Sequence, residues 1–209
     1  MEMSKFYIVG IGPGSKEYLT LSAVNTVESS DIVIGSKRAL NLFEDIKTHK
    51  VYLNANNIKE MIEYGIKKVN DGLNVSILST GDPGFSGLLK TVLKTTNNIE
   101  IEVIPGISSI QLCAARLQIP WDDANLITIH GKGVSKELIS LINNGNPTII
   151  LPNLNMDEIV TFLLNNGVNP KKNVAVCERL SYDDERIIKT PLKNLLNEDF
   201  SYMCVMVIY

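Results

Sequence analysis

The sequence has little of what metal sites, disulfide frameworks and membrane anchors are built from. Its three cysteines, Cys113, Cys177 and Cys204, are far apart and show no paired spacing. No apolar run reaches the length of about 18 residues that a membrane helix needs, and the segment before Phe6 lacks the apolar core of a signal peptide. We therefore expect reduced core cysteines and a cytoplasmic protein that does not bind a membrane.

The chain also has no excess of positive charge. The net charge is −3 over 209 residues, and no cluster combines basic with aromatic side chains. This composition disfavours nucleic-acid binding, and the length allows one large or two small domains. We see no internal repeat.

Glycine is concentrated in two turns, Gly10-Ile11-Gly12-Pro13-Gly14 and residues 81–87 (GDPGFSG). Each follows an apolar run without alternation, at 6–9 and 75–78, which predicts strands buried on both faces. Ligands of open parallel sheets bind outside the carboxyl ends of the strands, where small residues let a ligand reach the backbone. The pair predicts one shared small-molecule site. The alternative for either turn alone is an ordinary turn that needs glycine for a positive φ.

The first turn departs from the dinucleotide-binding fingerprint. Ser15 stands where that pattern has its third glycine, and Pro13 removes a backbone donor from the loop. A nicotinamide or flavin cofactor is therefore the weaker interpretation.

Strand and helix patterns alternate up to residue 118, which predicts parallel strands joined by helical crossovers there, and a second series of strands and helices follows. The predicted strands lie near 6–11, 31–34, 50–53, 74–79, 99–104, 125–130, 147–151, 173–177, 185–189 and 202–208. The predicted helices lie near 17–29, 37–46, 57–71, 85–95, 108–118, 135–144 and 155–166. Pro120-Trp121 interrupts the pattern. We predict two α/β domains, residues 1–118 and 119–209, with a cofactor cleft between them.

Four motifs in order carry a family resemblance. They are residues 10–14 with Leu19-Thr20-Leu21, Asp31-Ile32-Val33-Ile34-Gly35, Gly81-Asp82-Pro83, and Ile104-Pro105-Gly106-Ile107-Ser108-Ser109. In this order and spacing they resemble the tetrapyrrole methylase family over nearly the whole chain. The resemblance implies the two-domain fold of that family and S-adenosylmethionine as the methyl donor. It also implies a tetrapyrrole substrate that carries its own cobalt, so that no protein metal ligands are expected.

Within that family, residues 35–40, 79–87, 115–124 and 130–132 are most similar to members that methylate C5 of cobalt-precorrin-7 in anaerobic cobalamin biosynthesis. The alternatives are methylation of another ring carbon, modification of protein or ribosomal RNA as by other members, and a nucleotide-binding regulatory module without catalysis. The resemblance further implies a homodimer. Because the chain ends soon after the strand near 202–208, a separate C15-methyltransferase and decarboxylase is expected.

The resemblance also implies the cofactor contacts, carried over residue by residue. They are Pro13, Thr80, Gly81, Asp82, Phe85, Ser108 and Ser109 in the first domain, and Asn153 and Leu180 around the adenine in the second. Carbonyl and carboxylate oxygens suit the amino group and sulfonium, and serines at a helix start suit the carboxylate. The alternatives are a local turn bond for Asp82 and a plain helix N-cap for Ser108. We expect Asp82→Ala to weaken cofactor binding with little loss of stability.

A tetrapyrrole carries many carboxylates, so an acidic protein must concentrate basic groups where it binds. Lys37, Arg38 and Lys132 are the candidates, and solvated surface charges are the alternative; Arg116 could serve there or brace the domain junction. Methyl transfer from a sulfonium to an electron-rich carbon needs chiefly placement, so a catalytic base is dispensable. If a base assists, His130 at the end of a predicted strand is the candidate, with a structural role as the alternative.

Overall fold

The computed structural model describes residues 4–96, 98–129, 133–152 and 155–209. The strands are β1 (Phe6–Gly10), β2 (Ile32–Gly35), β3 (His49–Tyr52), β4 (Val75–Ser79), β5 (Ile101–Ile104), β6 (Asn125–Thr128), β7 (Thr148–Leu151), β8 (Asn173–Glu178), β9 (Arg186–Pro191) and β10 (Cys204–Ile208). The α-helices are α1 (Leu21–Glu28), α2 (Lys37–Asn41), α3 (Ile58–Asn70), α4 (Leu89–Thr95), α5 (Ser109–Leu117), α6 (Lys136–Ile142) and α7 (Met156–Asn165). Short 3₁₀ helices span Lys16–Tyr18 and Leu192–Leu195.

The chain divides into two compact units, one ending at Ser108 and the other beginning at Ser109. The sequence-based boundary at 118 and 119 lies after α5, whereas this division groups α5 with the carboxyl-terminal unit. The reason is that α5 packs against β10 of that unit.

The first unit is built on a parallel sheet with the strand order β3-β2-β4-β1-β5. Phe6, Ile8 and Val9 of β1 are fully buried, as are Val75 and Ile77 of β4, because helices cover both faces of a parallel sheet. Parallel pairing brings the carboxyl ends of β1, β2, β4 and β5 to one edge. Both glycine-rich turns leave the sheet at that edge.

Three predicted helices of this unit are shorter than the sequence pattern indicates. The helix predicted over 37–46 ends at Asn41 as α2, and the chain continues in turns. Thr20 accepts a hydrogen bond from Ala23 N at 3.1 Å and starts α1, so the predicted helix 17–29 becomes a 3₁₀ turn followed by α1. The predicted helix 85–95 begins only at Leu89, because Ser86 has a φ of 57°, outside the helical region.

The second unit has a mixed sheet with the order β6-β7-β10-β8-β9. β6 and β7 are parallel, whereas β10 pairs antiparallel with both β7 and β8. Its core joins Ile150, Ile159, Leu163 and Met206, all fully buried. The three cysteines are free and buried in this unit. Among the helices of the described residues, none has the length and apolar character needed to cross a membrane.

Candidate active site

The two glycine-rich turns meet at the carboxyl edge of the first sheet. β1 and β4 are neighbours, so the chain leaves both strands side by side. Ile11 N donates to Ser79 O at 3.0 Å, and Gly81 N donates to Gly12 O at 2.8 Å. Gly12 and Gly81 both have positive φ, at 72° and 68°. Each turn therefore does need a glycine with positive φ, and the two turns also lie next to each other as the sequence predicted.

A third glycine, Gly106, completes a close backbone packing around β1. A Cβ atom on Gly106 would lie 2.3 Å from Gly81 O, and one on Gly10 would lie 2.5 Å from Gly106 N. No side chain fits at either position without moving backbone. The turns after β1, β4 and β5 thus form one unit of structure, which we call the triple-glycine edge (Gly10, Gly81 and Gly106). The sequence analysis quoted Gly106 as part of a motif but did not predict this packing.

The Asp82 carboxylate ties the triple-glycine edge together. Its Oδ1 atom accepts a hydrogen bond from Gly84 N at 2.8 Å, and its Oδ2 atom accepts one from Gly106 N at 3.2 Å. The first bond is the local turn bond that the sequence allowed, and the second crosses to the loop after β5. Asp82 is half-buried, and an ionised carboxylate has capacity for further donors.

The other predicted cofactor residues of this unit lie on the same three loops. Pro13 and Gly81 are buried, Thr80 is exposed and Phe85 is half-buried. Ser108, the last residue of the first unit, is half-buried in the segment after β5, and Ser109, the first residue of the second unit, is half-buried at the start of α5. The structure therefore brings the predicted residues of the first unit, up to Ser108, to one edge of its sheet.

The basic candidates Lys37 and Arg38 follow β2 at the same edge. Ser36 caps α2 by accepting from Ala39 N at 3.2 Å, which fixes the start of the helix. Arg38 Nη2 donates to Thr80 Oγ1 at 3.0 Å, because β2 and β4 are neighbours in the sheet. Lys37 is exposed. A predicted substrate residue and a predicted cofactor residue are therefore in direct contact.

In the second unit, Leu180 lies in the loop between β8 and β9. It is only 4% exposed and stands between Arg179 and Ser181, which have φ values of 47° and 72°. Two non-glycine residues in the left-handed region mark backbone strain. The remaining candidates of this unit, His130, Lys132 and Asn153, lie outside the described residues.

Burial and mutual contact shift the pKa values of the three buried thiols in different directions, and the contact with Cys113 lowers the pKa of Cys177. Burial raises the pKa of Cys204 to about 12, and its contact with Cys177 together with burial raises the pKa of Cys113. Thiols with raised pKa remain protonated near neutral pH. Across the described ranges, no group of three or more potential metal ligands lies together.

Comparison with known proteins places these observations in context. A sequence profile described as Tetrapyrrole (Corrin/Porphyrin) Methylases matches residues 5–196. The chain is 51% identical over 204 residues to a Methanocaldococcus jannaschii protein named probable cobalt-precorrin-7 C(5)-methyltransferase, and the match covers 96% of each chain.

Two solved structures share the fold. A precorrin-6Y methylase from Archaeoglobus fulgidus has a TM-score of 0.74 and 23% identity, covering 97% of this chain and 96% of that one. A uroporphyrin-III C-methyl transferase from Thermus thermophilus, complexed with S-adenyl homocysteine, has a TM-score of 0.82 and 20% identity, covering 98% and 97%. The predicted α/β fold is confirmed by these likenesses.

Proposed function

Because the chain belongs to the tetrapyrrole (corrin/porphyrin) methylase family, as its motifs predicted, we propose that it transfers a methyl group from S-adenosylmethionine to C5 of cobalt-precorrin-7. The observation that carries the proposal is the 51% identity to the relative of that name over nearly the full length of both chains. The predicted class, a methyltransferase of cobalamin biosynthesis, agrees with that relative and with the family.

The donor set of the first unit fits this cofactor. The triple-glycine edge keeps side chains away from the backbone carbonyls of its loops, and Asp82 adds a carboxylate. We propose that these oxygens hold the amino group, while Ser108 and Ser109 at the start of α5 hold the carboxylate. Pro13, Thr80, Gly81 and Phe85 complete the contacts on this unit.

The second unit fits the adenine. Leu180 is almost wholly buried, and its amide and carbonyl have no hydrogen-bond partner among the described residues. No group of the described residues therefore occupies this amide and carbonyl, and one donor and one acceptor are available to a ligand. We propose that the adenine is this ligand, with Asn153 as a second contact.

When bound, S-adenosylmethionine supplies a methyl group that is already electrophilic. The protein's own task is then to place the acceptor carbon and exclude water. Arg38, oriented by its hydrogen bond to Thr80, is suited to bind a carboxylate at the rim of the macrocycle, with Lys37 and Lys132 as further anchors. His130 remains the candidate for an assisting base.

The proposal extends to the oligomeric state, the location and the neighbouring reaction of the protein. The protein acts as a homodimer in the cytoplasm, and a separate enzyme supplies the C15 methylation and decarboxylation. Sedimentation or light scattering of the purified protein tests the dimer, since a monomeric mass at working concentration contradicts it.

A calorimetric titration tests the cofactor assignment. We expect S-adenosylhomocysteine to bind with one site per chain and NAD, run as the control, not to bind. Turnover is then followed by mass spectrometry of cobalt-precorrin-7 after incubation with S-adenosylmethionine, with a gain of one methyl group expected. Tight S-adenosylhomocysteine binding without turnover of any tetrapyrrole would support the regulatory alternative instead.

A further inference from the structure

The loop after β8 is strained in a way that a connection between two antiparallel strands does not require. β8 and β9 pair up to Glu178 and Arg186, so residues 179–185 form the connection. Arg179 and Ser181 both have positive φ although neither is glycine. Such conformations persist only where the surroundings hold them, and they concentrate at functional sites.

One carboxylate holds the strained backbone. Glu185 Oε2 accepts a hydrogen bond from Ser181 N at 2.8 Å, directly at the strained residue. Glu185 Oε1 accepts from Arg116 Nε at 2.7 Å, and Arg116 Nη2 lies 3.4 Å from Glu185 Oε2. Arg116 is in the last turn of α5. The pair therefore fastens the loop to a helix of the same unit.

The loop contains a second ion pair, between Arg179 and Asp184, which lacks a hydrogen bond like that of Glu185 to Ser181 N. Arg179 Nε lies 2.5 Å from Asp184 Oδ2, and the Arg179 guanidinium lies 4.8 Å from the centre of the Tyr182 ring. The Asp184 side chain is 62% exposed, whereas that of Glu185 is 19% exposed. Exposed pairs contribute little to stability, so Asp184 offers a control on the same loop.

Glu185 holds one of the two peptide groups of Leu180, and the hydrogen bond from Tyr182 N to Arg179 O holds the other. Leu180 is joined directly to Ser181, so the peptide that Glu185 fixes through Ser181 N contains the Leu180 carbonyl. Adenine presents a donor, its 6-amino group, beside an acceptor, N1, and a backbone carbonyl and amide on one residue can pair with such an edge. The pairing depends on the orientation of both backbone groups.

We propose that Glu185, held by Arg116, is a positioning residue that orients the Leu180 carbonyl, which reads the adenine edge of the cofactor together with the Leu180 amide. This inference rests on the proposed function, because it requires that the cofactor carries adenine. Neither Glu185 nor Arg116 touches the cofactor; both act through the loop backbone.

The experiment compares two ligands that differ only at the purine edge. In S-inosylhomocysteine the 6-amino group and N1 of S-adenosylhomocysteine are replaced by a carbonyl and an N–H, so donor and acceptor are exchanged. Affinities of both ligands are measured by calorimetry for the wild-type protein, Glu185→Ala, Glu185→Gln and Asp184→Ala. Circular dichroism and the unfolding midpoint establish that each variant is folded.

The wild-type protein is expected to prefer S-adenosylhomocysteine. Glu185→Ala should weaken S-adenosylhomocysteine binding about tenfold, the worth of one or two hydrogen bonds, and should change S-inosylhomocysteine binding much less. Glu185→Gln, which keeps one acceptor oxygen, should fall between, and Asp184→Ala should match the wild type. If Glu185→Ala does not fold, Glu185→Gln and Arg116→Ala carry the same test.

An equal loss for both ligands in Glu185→Ala overturns the proposal, because it indicates a general loosening of the loop. An equal loss in Asp184→Ala, or a wild-type protein that binds both ligands alike, overturns it too. A wild-type protein that binds neither ligand contradicts the proposed function itself, so the two failures are distinguishable.

Discussion

The Asp82 carboxylate accepts hydrogen bonds from two loops, and this determines what its removal does. Asp82→Ala leaves the amides of Gly84 and Gly106 without their acceptor. We expect weaker S-adenosylhomocysteine binding, by about tenfold or more, and a free energy of unfolding lower by about 1–3 kcal/mol. From sequence alone only the first effect is expected, because the bond to Gly106 spans 24 positions. Calorimetry and urea unfolding measure the two effects.

Asp82→Asn is the matched control for that variant. It keeps one acceptor oxygen, so one of the two backbone hydrogen bonds and part of the stability should return, while the loss of charge should keep cofactor affinity low. Wild-type affinity in Asp82→Ala would remove this residue from the proposed site.

Gly106 is expected to be intolerant of even one methyl group. Gly106→Ala places a Cβ atom 2.3 Å from Gly81 O, so a loop must move and the cofactor contacts of Gly81 and Asp82 move with it. We expect loss of about 1–3 kcal/mol of stability together with weakened S-adenosylhomocysteine binding. Gly72→Ala is the control: no atom described lies within 4 Å of its Cβ position, and only its φ of 89° is unfavourable. Equal cofactor affinity in both variants would contradict the role of the triple-glycine edge.

Substitutions of Arg38 and Lys37 distinguish an effect on the tetrapyrrole KM from an effect on cofactor affinity. Arg38→Gln should raise the tetrapyrrole KM about tenfold, as expected for loss of one charge-assisted hydrogen bond, with a small effect on cofactor affinity through Thr80. Lys37→Gln should raise the KM less and leave cofactor affinity unchanged, since Lys37 is exposed. Steady-state kinetics with calorimetry check both. An unchanged KM in Arg38→Gln would mean that this residue only supports Thr80.

At the scale of elements, the link between α5 and the β8–β9 loop depends on pH. Burial alone would raise the pKa of the Glu185 carboxyl, but hydrogen bonds from Arg116 and Ser181 N outweigh burial and hold that pKa below its usual value of 4.5. A carboxyl with a pKa lowered by folding stabilises the protein fully above its unfolded value and loses this contribution as the pH falls through the folded value.

The lowered pKa of Glu185 predicts how the stabilities of the wild-type protein and Glu185→Gln differ with pH. The difference in their free energies of unfolding should be largest near neutral pH and should shrink as the pH falls below 4.5. Urea unfolding of both proteins across this range measures it. A difference that grows on acidification would contradict the assigned direction of the pKa.

The strands and most helices could be predicted from sequence because their signals are local. Continuous apolar runs mark β1 and β4, and helical periodicity marks α3 and α7. Helix starts were less predictable, because the Thr20 cap and the positive φ of Ser86 depend on where the chain must turn. The antiparallel insertion of β10 between β7 and β8 has no local signal, since the pattern of a buried strand does not encode its direction.

At the scale of the whole molecule, the sequence offers candidate site residues but not the contacts among them. The family resemblance selected Asp82 and Thr80, the charge of the expected substrate selected Arg38, and the structure places these three on adjacent loops of one unit. The pairing of Arg116 with Glu185 joins positions 69 apart. No spacing rule connects such residues, so only the fold reveals them.

The choice of ring carbon also belongs to the whole molecule, because it depends on how a macrocycle lies against the protein. The most direct test of the central claim uses S-adenosylmethionine labelled with carbon-13 in its methyl group and cobalt-precorrin-7 as acceptor, with nuclear magnetic resonance of the demetallated product. We predict a single labelled methyl group bonded to C5. A labelled methyl group at any other carbon, or no transfer by a protein that binds S-adenosylhomocysteine, would contradict the proposed function.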